Sequence, residues 1–283
     1  MAKMISPPKG TQLTPQEKWA YANFTDSFVF SKVLKINPEL AVRLLSRIIP
    51  DVRIKELTMI EPEERQRISP LSKYTVLDLK VKTDDGTVIM IEMQVRTEKN
   101  YIKRERYYGS LLDTESLGPN QDYSLLPNRI QISVCLFDPF ADGDCVYDFV
   151  YINRHNKERE LGDETRKIFL NARGTNRNTD AELATFLQYL AGEEVEDELC
   201  ASLDQKVAEL KYNTAVGDEY MLFADKLREE REEGKEEQKT ADILKMYQAL
   251  KEQTDDNAAF HTVCRYYPDT DPVKIREIIK TKE

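Results

Sequence analysis

Asp78, Glu92 and Gln94 are the side chains whose types and spacing are best suited to chemistry. Asp78 lies in a β-rich run, residues 74–82 (YTVLDLKVK), and Glu92 and Gln94 lie in a second, residues 87–95 (TVIMIEMQV). Paired as a hairpin, the two runs can bring two carboxylates and an amide to one place. Like charges on neighbouring strands repel each other unless a cation or another partner compensates. Carboxylate oxygens are the natural ligands of hard divalent cations. Such a cation activates water and neutralises the charge that develops as a phosphodiester is hydrolysed. The competing reading is that both acids are ordinary solvent-facing residues of an exposed strand.

Register decides whether they converge. A two-residue turn at Asp85-Gly86 sets Asp78 opposite Met93 and turns it away from Glu92, because side chains alternate faces along a strand. A three-residue turn, Asp84-Asp85-Gly86, with glycine in the left-handed conformation, pairs residue 83 with 87 and Asp78 with Glu92, and Gln94 follows on the same face. The apolar residues favour the second register. Leu77, Leu79 and Val81 then line one face, matched by Ile89, Ile91, Met93 and Val95 across the hairpin.

Helices must support this hairpin. Phe28, Phe30, Val33 and Leu34, then Leu40, Leu44, Leu45, Ile48 and Ile49, recur at helical spacing, with a break at Asn37-Pro38 where proline suits a helix start. Residues 51–60 predict a first strand or an extended link. After the hairpin, Tyr101, Arg104, Tyr107, Tyr108, Leu111 and Leu112 predict a helix within residues 97–117, and residues 129–137 and 146–152 predict strands. Residues 163–215 read as helices.

Four segments follow: a loose arm over residues 1–20, a domain over 21–215, a charged helical linker over 216–240 and a small helical tail over 241–283. The expected fold class is α/β, a mixed sheet flanked by helices with a C-terminal helical extension. The tail offers a route to a homodimer or higher oligomer.

The string Leu77-Asp78-Leu79-Lys80, then Asp85-Gly86, then Ile91-Glu92-Met93-Gln94-Val95, resembles the signature of the PD-(D/E)xK nuclease-family transposases, the group that includes the Rpn-type recombination-promoting nucleases. Residues 25–34 (TDSFVFSKVL) are similar to that family's opening helix, and Arg104 to Tyr108 to its R-x-x-x-Y helix. The charged segment 225–240 is similar to its linker.

The resemblance implies a restriction-endonuclease-like core and a metal-dependent DNA endonuclease acting in recombination, transposition or defence. It implies that Asp78 and Glu92 bind Mg²⁺ (or Mn²⁺) and that Gln94 stands where the usual catalytic lysine would. An amide there can hydrogen-bond to water but brings no positive charge. Asp26 is the candidate for a further acidic ligand from the first helix; its other reading is a helix N-cap. Arg104 and Tyr108, among the basic residues Arg96, Lys99, Lys103 and Arg106, are candidates to contact a phosphate or to orient the acids. The rival within the same fold is a catalytically inactive protein that binds nucleic acid or a protein partner.

Composition narrows the field. The 283 residues carry 51 acidic and 41 basic side chains, a net charge of -10, so simple electrostatic coating of nucleic acid is disfavoured. Cysteines at 135, 145, 200 and 264 lack zinc-site spacing and disulfide density, and the start lacks an apolar leader, so a cytoplasmic protein with no membrane association is expected. Two histidines, His155 and His261, have no ligand-like neighbours, and no phosphate-cradling glycine loop is present, so neither a zinc centre nor a nucleotide cofactor is expected.

Overall fold

In the computed structural model, which describes residues 13–60 and 78–280, the hairpin closes in the register that the three-residue turn predicts. β2 (Leu79–Thr83) and β3 (Val88–Gln94) pair antiparallel with Leu79 opposite Ile91 and Val81 opposite Ile89. Thr83 N donates to Thr87 O at 3.0 Å, and Gly86 takes φ +92°, a conformation that costs glycine little because it has no Cβ. Residues 74–77, the start of the first run, lie outside the described residues.

Three helices precede the hairpin. α1 (Pro15–Tyr21) opens with a capping box between Thr14 and Glu17, so the described end of the expected loose arm is helical: Thr14, Pro15 and Glu17 are helix-start residues. α2 (Ser27–Ile36) is capped by Asp26, and α3 (Pro38–Ile48) starts at the predicted proline. β1 (Leu57–Met59) then pairs antiparallel with β2.

α4 (Tyr101–Ser116) carries the chain from β3 to β4 (Arg129–Cys135), which runs parallel to β3, as a helical crossover allows. β5 (Val146–Phe149) and β6 (Thr165–Asn171) complete a six-stranded sheet of order β1-β2-β3-β4-β6-β5. β6 corrects the helical reading of residues 163–215. Its first three residues, Thr165, Arg166 and Lys167, are polar, and its apolar half, Ile168 to Leu170, is too short to show a period. Pairing between β4 and β5, remote in sequence, makes it a strand. α5 (Ala181–Leu190) and α6 (Glu198–Lys211) do fall within that stretch.

The sheet is covered on both faces. One face, with Leu79, Val81, Ile89, Ile91, Ile132 and Val134, packs in the core to which α2, α3, α5 and α6 contribute Phe30, Leu34, Leu44, Phe186 and Leu203. The other face lies under α4, where Tyr108 and Leu112 meet Met90, and Tyr101 meets Cys135, Tyr147 and Phe169. This second face is mixed. Glu92, Gln94, Arg129, Gln131 and Ser133 share it with the apolar contacts.

The described residues up to Gly217 form one compact unit and those from Asp218 on a second. α7 (Thr214–Lys251), α8 (Asp256–Tyr266) and α9 (Pro272–Lys280) supply the second unit's own core of Ile243, Tyr247, Ala259, Phe260, Val263, Ile275 and Ile279. Among the described residues no helix is long and apolar enough to cross a membrane.

Candidate active site

Glu92 and Gln94 alternate with Met93 at the C-terminal end of β3, so both point to the face beneath α4 while Met93 enters the opposite core. Asp78, just ahead of β2, is only 9% exposed, and its Oδ2 accepts a hydrogen bond from Met93 N at 2.6 Å. The Glu92 side chain is 12% exposed and Gln94 is 7% exposed. Neither acid is therefore the solvent-facing strand residue of the competing reading. α4 covers the face that spacing alone would leave open.

Burial that their cationic neighbours only partly offset leaves its mark on the acids. Desolvation pushes the Asp78 carboxyl up to about 7, reinforced by the nearby charge of Asp26 and opposed by the Met93 amide, Arg104 and Lys35. Burial, together with the adjacent carboxyl of Glu105, raises Glu92 far above the usual carboxylate range, and Arg104 offsets only part of this. Glu92 Oε2 is buried with no hydrogen-bond partner among the described residues. Uncompensated buried acids of this kind are costly, and a cation is the partner their oxygens suit.

Arg104, one turn into α4, holds the site from the helix side. Its Nη2 lies 3.4 Å from Glu92 Oε1, its Nη1 binds Glu98, and its guanidinium packs over the rings of Tyr101 and Tyr108 at 5.1 and 5.7 Å. The spacing of Tyr101, Arg104 and Tyr108 on one helical face is thus realised, with the arginine turned toward the acid. Arg96, Lys99, Lys103 and Arg106 are exposed around it.

Asp26 satisfies its capping role: its Oδ1 accepts from Phe28 N and Val29 N at 3.1 and 3.3 Å. It is also near enough to raise Asp78. The described residues do not, however, gather three or more Asp, Glu, His or Cys side chains into a metal-holding group. The structure brings the charges of Asp78, Glu92 and Arg104 to bear on one another, sets Gln94 on the same strand face as Glu92, and places Asp26 near enough to Asp78 to act on it while it caps α2.

Glu105 is the site residue that the sequence reading passed over. It is 3% exposed, on the buried side of α4, with its Oε1 unpartnered. A signal existed. Glu105 falls four residues after Tyr101 and three before Tyr108, on the helix stripe that packs against the sheet.

A cleft of about 420 Å³ lies elsewhere among the described residues. It is lined by Asp51, Arg53, Asp85, Arg129, Tyr151 and Arg166 among others, at the starts of β4 and β6. Gln94 and Cys135 pair at the other end of these seven-residue strands, roughly 20 Å away at about 3.3 Å per residue. Its Arg166 is already engaged with Asp51 and Asp148 at 2.6 and 2.5 Å, so the end bearing Glu92 is the better place to look for chemistry.

No curated protein and no solved structure matches the chain significantly. The sequence profile of the PD-(D/E)XK nuclease family transposases matches residues 24–242, a span that includes the hairpin, α4 and the opening helix. The buried carboxylate pair at the end of a paired hairpin, set under a helix carrying Arg104, therefore stands in a chain that belongs to the PD-(D/E)XK nuclease family transposases.

Proposed function

We propose that this protein is a metal-dependent DNA endonuclease, with Asp78 and Glu92 holding Mg²⁺ or Mn²⁺. The observation that carries this reading is the buried and only partly compensated pair Asp78 and Glu92, with Gln94 on the same strand face as Glu92, in a chain of this family. A divalent cation bound there would supply Lewis acidity and a water of lowered pKa. The residues fit it, since their oxygens are hard ligands and Glu92 Oε2 is buried without a donor.

The side chains then divide the work. The Met93 amide fixes the Asp78 carboxylate at the edge of β3. Gln94 offers a hydrogen bond to orient the attacking water without adding charge. Arg104 sets the position of Glu92 and brings positive charge to the site, and the exposed Arg96, Lys99, Lys103 and Arg106 give a DNA backbone a surface to lie against. Asp26 contributes charge near Asp78, and a dimer would place two such sites for cutting two strands.

The test is cleavage of supercoiled and linear DNA by wild type and by Asp78→Ala, each with Mg²⁺, Mn²⁺ or EDTA. Metal-dependent cutting that disappears in the variant is expected. A folded wild-type protein that cuts nothing under any of these conditions would sink the reading. It would favour a silent member of the fold that binds a partner, for which the amide in place of lysine at position 94 is the motivating feature.

A further inference from the structure

We propose that Glu105, on α4, is a further carboxylate ligand of the divalent cation held at Glu92. This rests on the reading that the cation site lies at the end of the hairpin.

Glu105 is 3% exposed, and its Oε1 meets no donor among the described residues. Its carboxyl reaches that of Glu92, whose Oε2 is equally buried and equally without a donor. Two carboxyls facing each other in a buried interface cannot both be charged without help: in the metal-free protein a proton held on Glu92 sustains the pair, and a cation between them can take the place of that proton. Arg104 compensates the two acids only in part: its Nη2 lies 3.4 Å from Glu92 Oε1 and its Nη1 binds Glu98, and Glu92 stays raised despite its charge. Oxygens from a strand and a helix that face each other in a buried interface are hard donors for Mg²⁺ or Mn²⁺, and with the cation between them both acids can be charged.

The backbone of α4 is pinned so that this carboxyl cannot easily swing away. Gln131 Nε2 donates to the Glu105 carbonyl at 2.9 Å, and Gly109, one turn on, lets the helix approach Arg129 and Gln131 with no Cβ in between. The site is thus assembled from Asp78 just ahead of β2, Glu92 on β3 and Glu105 on α4, with Asp26 at the start of α2 near Asp78.

Mn²⁺ binding to the full-length protein, followed by the loss of the free-ion electron paramagnetic resonance signal, tests this without DNA. Wild type, Asp78→Ala and Glu105→Gln are titrated, and the melting temperature of each is measured in EDTA and in saturating Mn²⁺. The expected result is binding weakened about tenfold or more in Glu105→Gln, with an EDTA melting temperature close to wild type, because the amide can still hydrogen-bond to the neutral Glu92 carboxyl, and a smaller rise on adding Mn²⁺.

Wild-type affinity in Glu105→Gln, with Asp78→Ala impaired, overturns the role of Glu105 and leaves the hairpin site standing. A lower EDTA melting temperature with weakened binding marks Glu105 as structural and also overturns it. No Mn²⁺ binding by wild type removes the hairpin site and this ligand together. If Glu105→Gln does not fold, Glu105→Asp keeps the charge and withdraws it by one methylene; wild-type affinity there overturns the proposal, and weakened binding supports it.

Discussion

Asp78 shows how burial turns an ordinary acid into a sensor of its surroundings. Its carboxyl sits near 7 rather than at 3.8, so the folded metal-free protein prefers the neutral form over that interval while the unfolded chain does not. The folded state then binds more protons than the unfolded one between about pH 4 and 7. Stability therefore falls as pH rises through this window and levels off above it, by roughly 4 kcal/mol at the upper limit. Chemical denaturation in EDTA at pH 5 and pH 8 should show this fall in wild type, and Asp78→Asn should lose much of it. A proton and a cation compete for the same carboxylate, so Mn²⁺ affinity should drop up to tenfold per unit below pH 7, readable by calorimetry. Gln94→Lys restores a positive charge beside the acids, and a cleavage rate about tenfold above wild type at saturating Mg²⁺ is expected. An unchanged rate would show that water orientation, not charge, is what position 94 supplies.

At the scale of the element, α4 is the decisive piece. Its spacing announces a helix, and its tyrosines and Arg104 announce a shared face, yet the mixed face it covers is chemically unusual for a helix-sheet contact. A Cβ on Gly109 would meet Gln131 Oε1 at 2.6 Å and crowd the Arg129 guanidinium more closely still. Gly109→Ala improves helix propensity by about 1 kcal/mol, but the neighbours are buried, so net destabilisation of about 1–3 kcal/mol is expected from denaturant unfolding, with weaker Mn²⁺ binding as α4 is pushed outward. A Gly109→Ala protein as stable as wild type would mean that Arg129 and Gln131 have room to move. The hairpin was legible because its turn, Asp84-Asp85-Gly86, and its alternating apolar residues agree on one register. β6 was not, because its polar first half hides a strand that only pairing with β4 and β5 stabilises.

At the scale of the whole molecule, two compact units each have a core of their own. A chain ending at Gly217 is expected to unfold cooperatively and to bind Mn²⁺ as the full-length protein does, since every candidate ligand lies before that point. If the second unit mediates assembly, the same truncation should convert a dimer into a monomer in light scattering. A full-length protein that is already monomeric would remove that role from the tail.

The hairpin, its register and the helix starts at Asp26 and Pro38 are written in the local sequence. These follow from turn chemistry, capping and periodicity, all of which act between residues close along the chain. That Glu92 and Gln94 share a strand face, with Asp78 opposite Glu92, was legible for the same reason, because alternation along two adjacent strands fixes which side chains share a face. Tertiary contacts were needed to bury that face, to turn Arg104 to Glu92, to set Asp26 near Asp78 and to bury Glu105 beside Glu92. Burial and electrostatics there depend on where α4 lies over the sheet, and that placement is set by contacts between residues far apart in sequence, such as Tyr101 with Phe169.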